Sequence, residues 1–234
     1  MNKIILGLIG IIFTLNAGEV YATFNVVAKD SADLAFDANG VVKVVKTDIA
    51  DEVKKGDVLA YLGNSDKKAT LEIAKTTLKY AKKDYERQLK VKKLINADVF
   101  DTYAYKYENA KNQLAYQQAM YDKTFLKAPF DGIILYKDLD VGDTLSGLML
   151  KTVYKIQSLH ARKLILEFDQ KYNKIVKVGD VYKYKIDGDS KTHTGIINKI
   201  YPFANVNNRK IQAEIEAKNI VVGLFGSGSI ITKD

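Results

Sequence analysis

Along residues 24–62 the apolar residues arrive in short β-branched bursts: Phe24, Val26 and Val27; Leu34 and Phe36; Val41, Val42, Val44 and Val45; then Val53, Val58, Leu59 and Leu62. Between them stand Asn39-Gly40, Lys55-Gly56-Asp57 and Gly63-Asn64. Short apolar runs closed by Gly, Asn and Asp predict strands joined by tight turns. At Ser65 the period changes. Residues 66–93 contain no Gly or Pro, and Leu71, Ala74, Leu78, Ala81 and Tyr85 recur at alternating steps of three and four. That spacing draws one apolar stripe along a helix, with Ser65 as its expected N-cap. The pattern lapses over Leu94-Ile95-Asn96-Ala97, then resumes at Phe100, Tyr103, Tyr107, Ala110, Leu114, Gln117, Tyr121 and Thr124. This is coiled-coil spacing. Two helices with a link of about four residues predict an antiparallel hairpin, each arm reaching ~40 Å.

After Thr124 the strand pattern returns. Tyr182, Tyr184 and Ile186 alternate with Lys183 and Lys185, and Ile211, Ala213 and Ile215 alternate with Lys210, Gln212 and Glu214. Turn signals stand at Gly179-Asp180, Asp187-Gly188-Asp189, Asn205 to Asn208 and Gly223. Five or six short one-faced strands at this spacing predict a small closed or nearly closed barrel.

The two stretches flanking the helices echo each other. Gly40-Val41-Val42 followed by Gly56-Asp57 and Leu59 matches Gly132-Ile133-Ile134 followed by Gly142-Asp143 and Leu145. A Gly-Asp turn reverses the chain where positive φ is needed. Two half-motifs so far apart predict one β-sandwich closed by both, with the helical hairpin inserted between them.

Composition narrows the class. With 47% apolar and 27% charged residues the chain is that of a folded protein. Lys3 precedes an apolar run from Ile4 to Leu15, the outline of a secretory signal. Cleavage is expected after Ala22, with Ala17 as the rival. The run is short of the ~20 residues a membrane span needs, so the protein is expected outside the cytoplasm, free or held by an uncleaved signal. Cysteine is absent, which excludes disulfides and thiol chemistry. The net charge of +8 would suggest nucleic acid in a cytoplasmic protein, but an exported one rarely meets any. Residues 66–93 carry ten Lys or Arg against four acids, which reads as a solvated face, with an acidic partner as the alternative.

Asp51-Glu52-Val53-Lys54-Lys55-Gly56-Asp57-Val58-Leu59-Ala60 and Leu126-Lys127-Ala128-Pro129-Phe130-Asp131-Gly132-Ile133-Ile134 resemble the periplasmic adaptors, or membrane fusion proteins, of tripartite efflux pumps of the resistance-nodulation-division type. The likeness runs on through Val178-Gly179-Asp180-Val181 and residues 195–202. It implies a mixed β and α fold: a split lipoyl-like β-sandwich with an inserted antiparallel coiled-coil hairpin, followed by a small β-barrel. The expected divisions are 1–22 signal peptide, 23–63 first lipoyl half, 64–125 hairpin, 126–150 second lipoyl half and 151–234 barrel. The implied function is an adaptor linking an inner-membrane transporter to an outer-membrane channel, in a homo-oligomeric ring, without catalysis. An ATP-driven transporter is the alternative.

By the same resemblance Arg87, Leu89, Leu94 and Asn96 mark a channel-docking tip, although Tyr85 stands where the family carries arginine. Leu78, Tyr85, Tyr107 and Leu114 are the expected hairpin seam. Gly56, Asp57, Pro129, Gly132, Gly142 and Asp143 are the expected lipoyl-like turn motifs.

A search for chemistry returns little. Neither a phosphate loop nor a zinc helix motif occurs in the sequence. His160 and His193 stand apart and away from acidic clusters, and Asp187 and Asp189 flank Gly188 as turn residues do. Gly223, Gly226 and Gly228 read as a glycine-rich strand end. No catalytic, cofactor-binding or metal residue is expected. A lipoyl or biotinyl carrier, whose modified lysine would sit where the hairpin is inserted, is the rival class.

Overall fold

The computed structural model describes residues 18–232; the greater part of the expected signal segment lies outside them. In chain order the strands are β1 (Glu19–Ala28), β2 (Ser31–Leu34), β3 (Gly40–Val45), β4 (Glu52–Val53) and β5 (Val58–Leu62). Helix α1 (Ser65–Lys90), a 3-10 turn (Lys92–Leu94) and helix α2 (Ala97–Asp122) follow. The remaining strands are β6 (Phe125–Lys127), β7 (Gly132–Lys137), β8 (Thr144–Leu145), β9 (Tyr154–Ser158), β10 (Ala161–Asp169), β11 (Val181–Ile186), β12 (His193–Ala204), β13 (Lys210–Lys218) and β14 (Phe225–Ile231). They form two units, residues 30–159 and, from both ends of the chain, residues up to 29 with those from 160 onward.

In the first unit two sheets, ordered β2-β9-β7-β4 and β6-β5-β3-β8, make a sandwich. Each sheet draws strands from both sides of the helices: β4 pairs with β7, β5 with β6 and β3 with β8. Val42, Val53, Leu59 and Leu62 from before the helices share one core with Leu126, Ile134, Leu139 and Ile156 from after them. Neither half can bury its apolar face alone, so the fold joins them. Gly132 marks the tightest approach, since a Cβ there would meet the Gln157 carbonyl oxygen at 2.3 Å.

The doubled Gly-Asp turn has one geometry in both halves of the sandwich. Gly56 and Gly142 hold φ of 91° and 103°, and Asp57 and Asp143 each accept the backbone N–H three residues back, from Lys54 at 2.8 Å and Asp140 at 2.9 Å. Each turn then clips the other half of the sandwich. Gly56 N–H donates to the Ala128 carbonyl at 2.8 Å and Ala128 N–H returns a bond to Asp57 at 2.9 Å; Gly142 and Asp143 exchange the same pair of bonds with Val42. The echo in the sequence is thus a reciprocal fastening. Gly179 and Asp180 repeat it in the other unit, where they hold Ile197.

The second unit is a closed barrel in the order β1-β10-β13-β12-β11-β14. Its interior is filled by alternate residues of each strand, among them Val20, Phe24, Leu164, Leu166, Tyr182, Ile197 and Ile215. Two expected boundaries are corrected here. The strand containing Phe24 and Val26 is not part of the first lipoyl half, because Val20, Ala22, Phe24 and Val26 face the barrel core and pair with β10 and β14. β9, placed with the barrel at 151–234, belongs to the sandwich through β2 and β7. Ala22, the expected cleavage point, lies inside β1 rather than before it. Gly226 and Gly228 lie within β14, where a Cβ on either would meet a β11 carbonyl oxygen at 2.1 Å.

Candidate functional site

The two helices are 26 residues each, and the link between them is six residues, 91–96, rather than four. Val91 leaves the helical region at φ −110° and ψ 16°, and the residues after it tighten into the 3-10 turn. Ser65 is the first helical residue, not the cap. Asn64 takes the cap position without a side-chain bond to a helical N–H; its side-chain amide instead donates 3.0 Å to the Thr124 hydroxyl at the other foot of the hairpin. Thr124 is fully buried, its hydroxyl donates to the Tyr121 carbonyl at 2.6 Å, and its own carbonyl accepts from Leu62 N–H at 2.9 Å. Both feet of the hairpin are therefore tied to each other and to β5.

Along the seam Leu71 and Ala74 of α1 and Phe100 and Ala110 of α2 are buried, while Leu78, Tyr85, Tyr107 and Leu114 are half-buried. A pair of helices alone cannot cover its own stripe on all sides, so half-burial is the geometric outcome. Tyr85 is the hub of the distal seam. Its ring stacks on Tyr107 at 5.2 Å and 12° and leans on Phe100 at 5.6 Å, and Lys92 lies 4.3 Å over the Phe100 ring. Aromatic contacts of this kind add to the burial they accompany.

At the tip, Leu89 and Leu94 are exposed at 48% and 85%, with Val91 and Val99 beside them in sequence also exposed. Arg87 is exposed but pairs with Asp84 one turn back. Asn96 caps α2, its side-chain oxygen accepting Asp98 N–H at 3.2 Å, so its amide oxygen already has a local task. The tip thus offers an apolar edge. Val91 was missed in the sequence because a short link has no period to read, and Val99 because it stands in the first turn of α2 outside the stripe that starts at Phe100.

The turn residues sit in the sandwich: Gly56, Asp57, Gly142 and Asp143 in the fastening turns, Gly132 at the close approach and Pro129 exposed between β6 and β7. The histidines have partners that spacing did not suggest. His193 Nε2 lies 3.1 Å from Asp189, whose carboxyl is held below its usual range by the Lys191 N–H and by His193. His160 Nδ1 lies 3.1 Å from the Asn219 side-chain oxygen. Among the described residues no group of three or more His, Cys, Asp or Glu could hold a metal ion, and no helix is long and apolar enough to cross a membrane.

A family model described as a CzcB-like, barrel-sandwich hybrid domain matches residues 30–156. Among solved structures, a MacA–MexA chimera carrying the Pseudomonas aeruginosa MexA α-hairpin is 19% identical with a TM-score of 0.77, over 93% of this chain and 83% of that one. The membrane fusion protein Spr0693 of Streptococcus pneumoniae R6 is 15% identical with a TM-score of 0.70, over 92% of this chain and 100% of its own. MacA of Actinobacillus actinomycetemcomitans is 19% identical with a TM-score of 0.61, over 92% and 79%. At these identities the structures establish the shared fold. No curated protein sequence matches the chain.

Proposed function

Because the chain belongs to the CzcB-like barrel-sandwich hybrid family and so to the membrane fusion proteins, we propose that it is a periplasmic adaptor subunit of a tripartite export complex. In this reading it joins an inner-membrane transporter to an outer-membrane channel and contributes reach rather than a reaction. The observation that carries it is the hairpin rooted in the split sandwich: two 26-residue arms, each ~39 Å at 1.5 Å per residue, whose feet are fastened by Asn64 and Thr124. A globular core of this size has no use for such a rod. A tie between separate proteins does.

The transporter we assign is of the proton-driven resistance-nodulation-division type, on the strength of Ala128-Pro129-Phe130-Asp131-Gly132 and the short hairpin. The channel would meet the apolar tip edge of Leu89, Val91 and Leu94, with several copies arranged in a ring. Photo-crosslinking from Leu94 in the living envelope tests this. Capture of an outer-membrane channel protein is expected, and crosslinks confined to this chain or to soluble proteins would overturn it.

A further inference from the structure

One end of the barrel is basic and apolar at once. Glu19 opens β1 there and pairs with Ile231 at the close of β14, which also pairs with Val181, the first residue of β11. Asp169, the last residue of β10, pairs with Lys210, the first of β13. The loops that cross this end are therefore β10–β11 and β12–β13. The loops, residues 170–180 and 205–209, hold Lys171, Lys174, Lys177 and Arg209 against one acid, Asp180, which is buried and accepts the Lys177 N–H at 2.8 Å; at the rim stand Glu19 and Asp169, the latter 4.0 Å from Lys171. The loops at the other end, residues 187–192 and 219–224, hold Asp187, Asp189 and a single cation, Lys191.

The two basic segments touch, since Gln170 N–H donates 3.1 Å to the Arg209 carbonyl, and Lys174 and Phe203 line the same open cleft. Apolar side chains are pushed outward among the cations. From Ile200↔Ala213 to Ala204↔Ile211 strand β12 advances four residues while β13 advances two. A bulge of this kind bends the strand and re-aims its side chains, and Pro202 has no N–H to lose from the ladder. Tyr201 and Phe203 stack face to face at 5.8 Å and 3°. Phe203 is 64% exposed and Val206, in the following loop, 89%.

We propose that this barrel end is a membrane-surface site for an anionic phospholipid bilayer, with Phe203 and Val206 entering the headgroup–acyl boundary and Lys174, Lys177 and Arg209 at the phosphate layer. Apolar tips within a predominantly basic rim are what an interfacial site requires. A protein partner fits less well, because lysine is depleted from protein interfaces and three of the four cations are lysine. The inference does not rest on the adaptor reading, because vesicle binding needs neither transporter nor channel.

Co-sedimentation of the purified mature chain with vesicles of phosphatidylcholine, alone or mixed with phosphatidylglycerol, tests it. Binding is expected only to the mixed vesicles and should weaken in high salt. Each cation near an anionic surface contributes roughly fivefold in partitioning, so Lys174→Glu with Arg209→Glu should cost at least ~20-fold. Phe203→Asp with Val206→Asp should weaken binding at every salt concentration, and Lys191→Glu at the other end should change it little. Circular dichroism checks that each variant is folded. The proposal is overturned by absent binding, by equal binding to phosphatidylcholine alone, or by folded double variants that bind as the parent does. Capture of a transporter by this surface without vesicle binding would overturn it too, in favour of a protein partner.

Discussion

The side-chain amide of Asn64 reaches across the base of the hairpin to the hydroxyl of Thr124, 3.0 Å away and 60 residues later in the chain. This bond takes the place of a helix cap and sets the two helix feet side by side on β5. Thr124→Val keeps the shape and removes both the hydroxyl acceptor for Asn64 and the donor to Tyr121. A part-buried amide left without its partner costs about 1–3 kcal/mol, so the variant should unfold at lower denaturant with an unchanged slope. Denaturant titration followed by circular dichroism checks it, and an unaltered midpoint would remove the fastening role.

Glycines that look equivalent in the repeated motif should differ sharply on substitution. Gly56 has nothing within 4 Å of a built Cβ and pays only for its φ of 91°, whereas the Gly132 Cβ would strike the Gln157 backbone of β9. Gly56→Ala should therefore cost about 1 kcal/mol and Gly132→Ala roughly 3 kcal/mol. Thermal melts of the two variants give the ranking directly, and a reversed order would show that β9 can shift away from β7.

How much of this could be seen in the sequence depended on the range of the interactions. The hairpin seam was legible because a helical stripe repeats locally, so Leu71, Ala74 and Tyr85 reveal it without knowledge of what they touch. The split sandwich was legible through the doubled Gly-Asp turn, whose geometry is set within four residues. β1 was misassigned because its register partners, Phe168 and Gly228, are distant in the chain while the first lipoyl half is next to it. β4 and β8, of two residues each, are too short to carry a period. Asn64 displaced Ser65 as the cap residue because a tertiary bond outweighed local propensity. The outward bulge at Tyr201-Pro202-Phe203 had one sign, a proline within a strand pattern.

Tyr182 limits where a secretory signal could be cut from the chain. Its fully buried hydroxyl donates 2.7 Å to the Ala22 carbonyl, and burial pushes its pKa far above the ordinary tyrosine value, so the bond is needed by a neutral donor. Cleavage after Ala22 would remove Glu19 to Ala22, with buried Val20 and the only carbonyl bonded to that hydroxyl in β1. The intact mass of any processed form is expected to include residues 19–22. A chain made to start at Thr23 should be less stable by about 3 kcal/mol or more, from lost burial and an unpaired donor together. A mature protein beginning at Thr23 with an undiminished melting temperature would contradict this.

The barrel should also carry an acid-sensitive contact at Glu214. Its carboxylate accepts the Tyr201 hydroxyl at 2.5 Å and lies 3.5 Å from the Lys163 ammonium. The Tyr201 bond first, then the Lys163 and Lys199 charges, hold its pKa below the ordinary 4.5. A carboxyl depressed in the folded state is protonated earlier in the unfolded chain as pH falls. Its stabilisation is therefore complete above about pH 4.5 and is lost as pH drops through the lower folded value. Glu214→Gln leaves Tyr201 an acceptor and removes the charge. The variant should be the less stable at neutral pH, and the gap should close in acid, where the parent carboxylate takes up its proton. Melting temperatures of both proteins from about pH 7 down to pH 2 measure the gap, and one that stayed constant or widened in acid would mean that Glu214 acts by packing and not by charge.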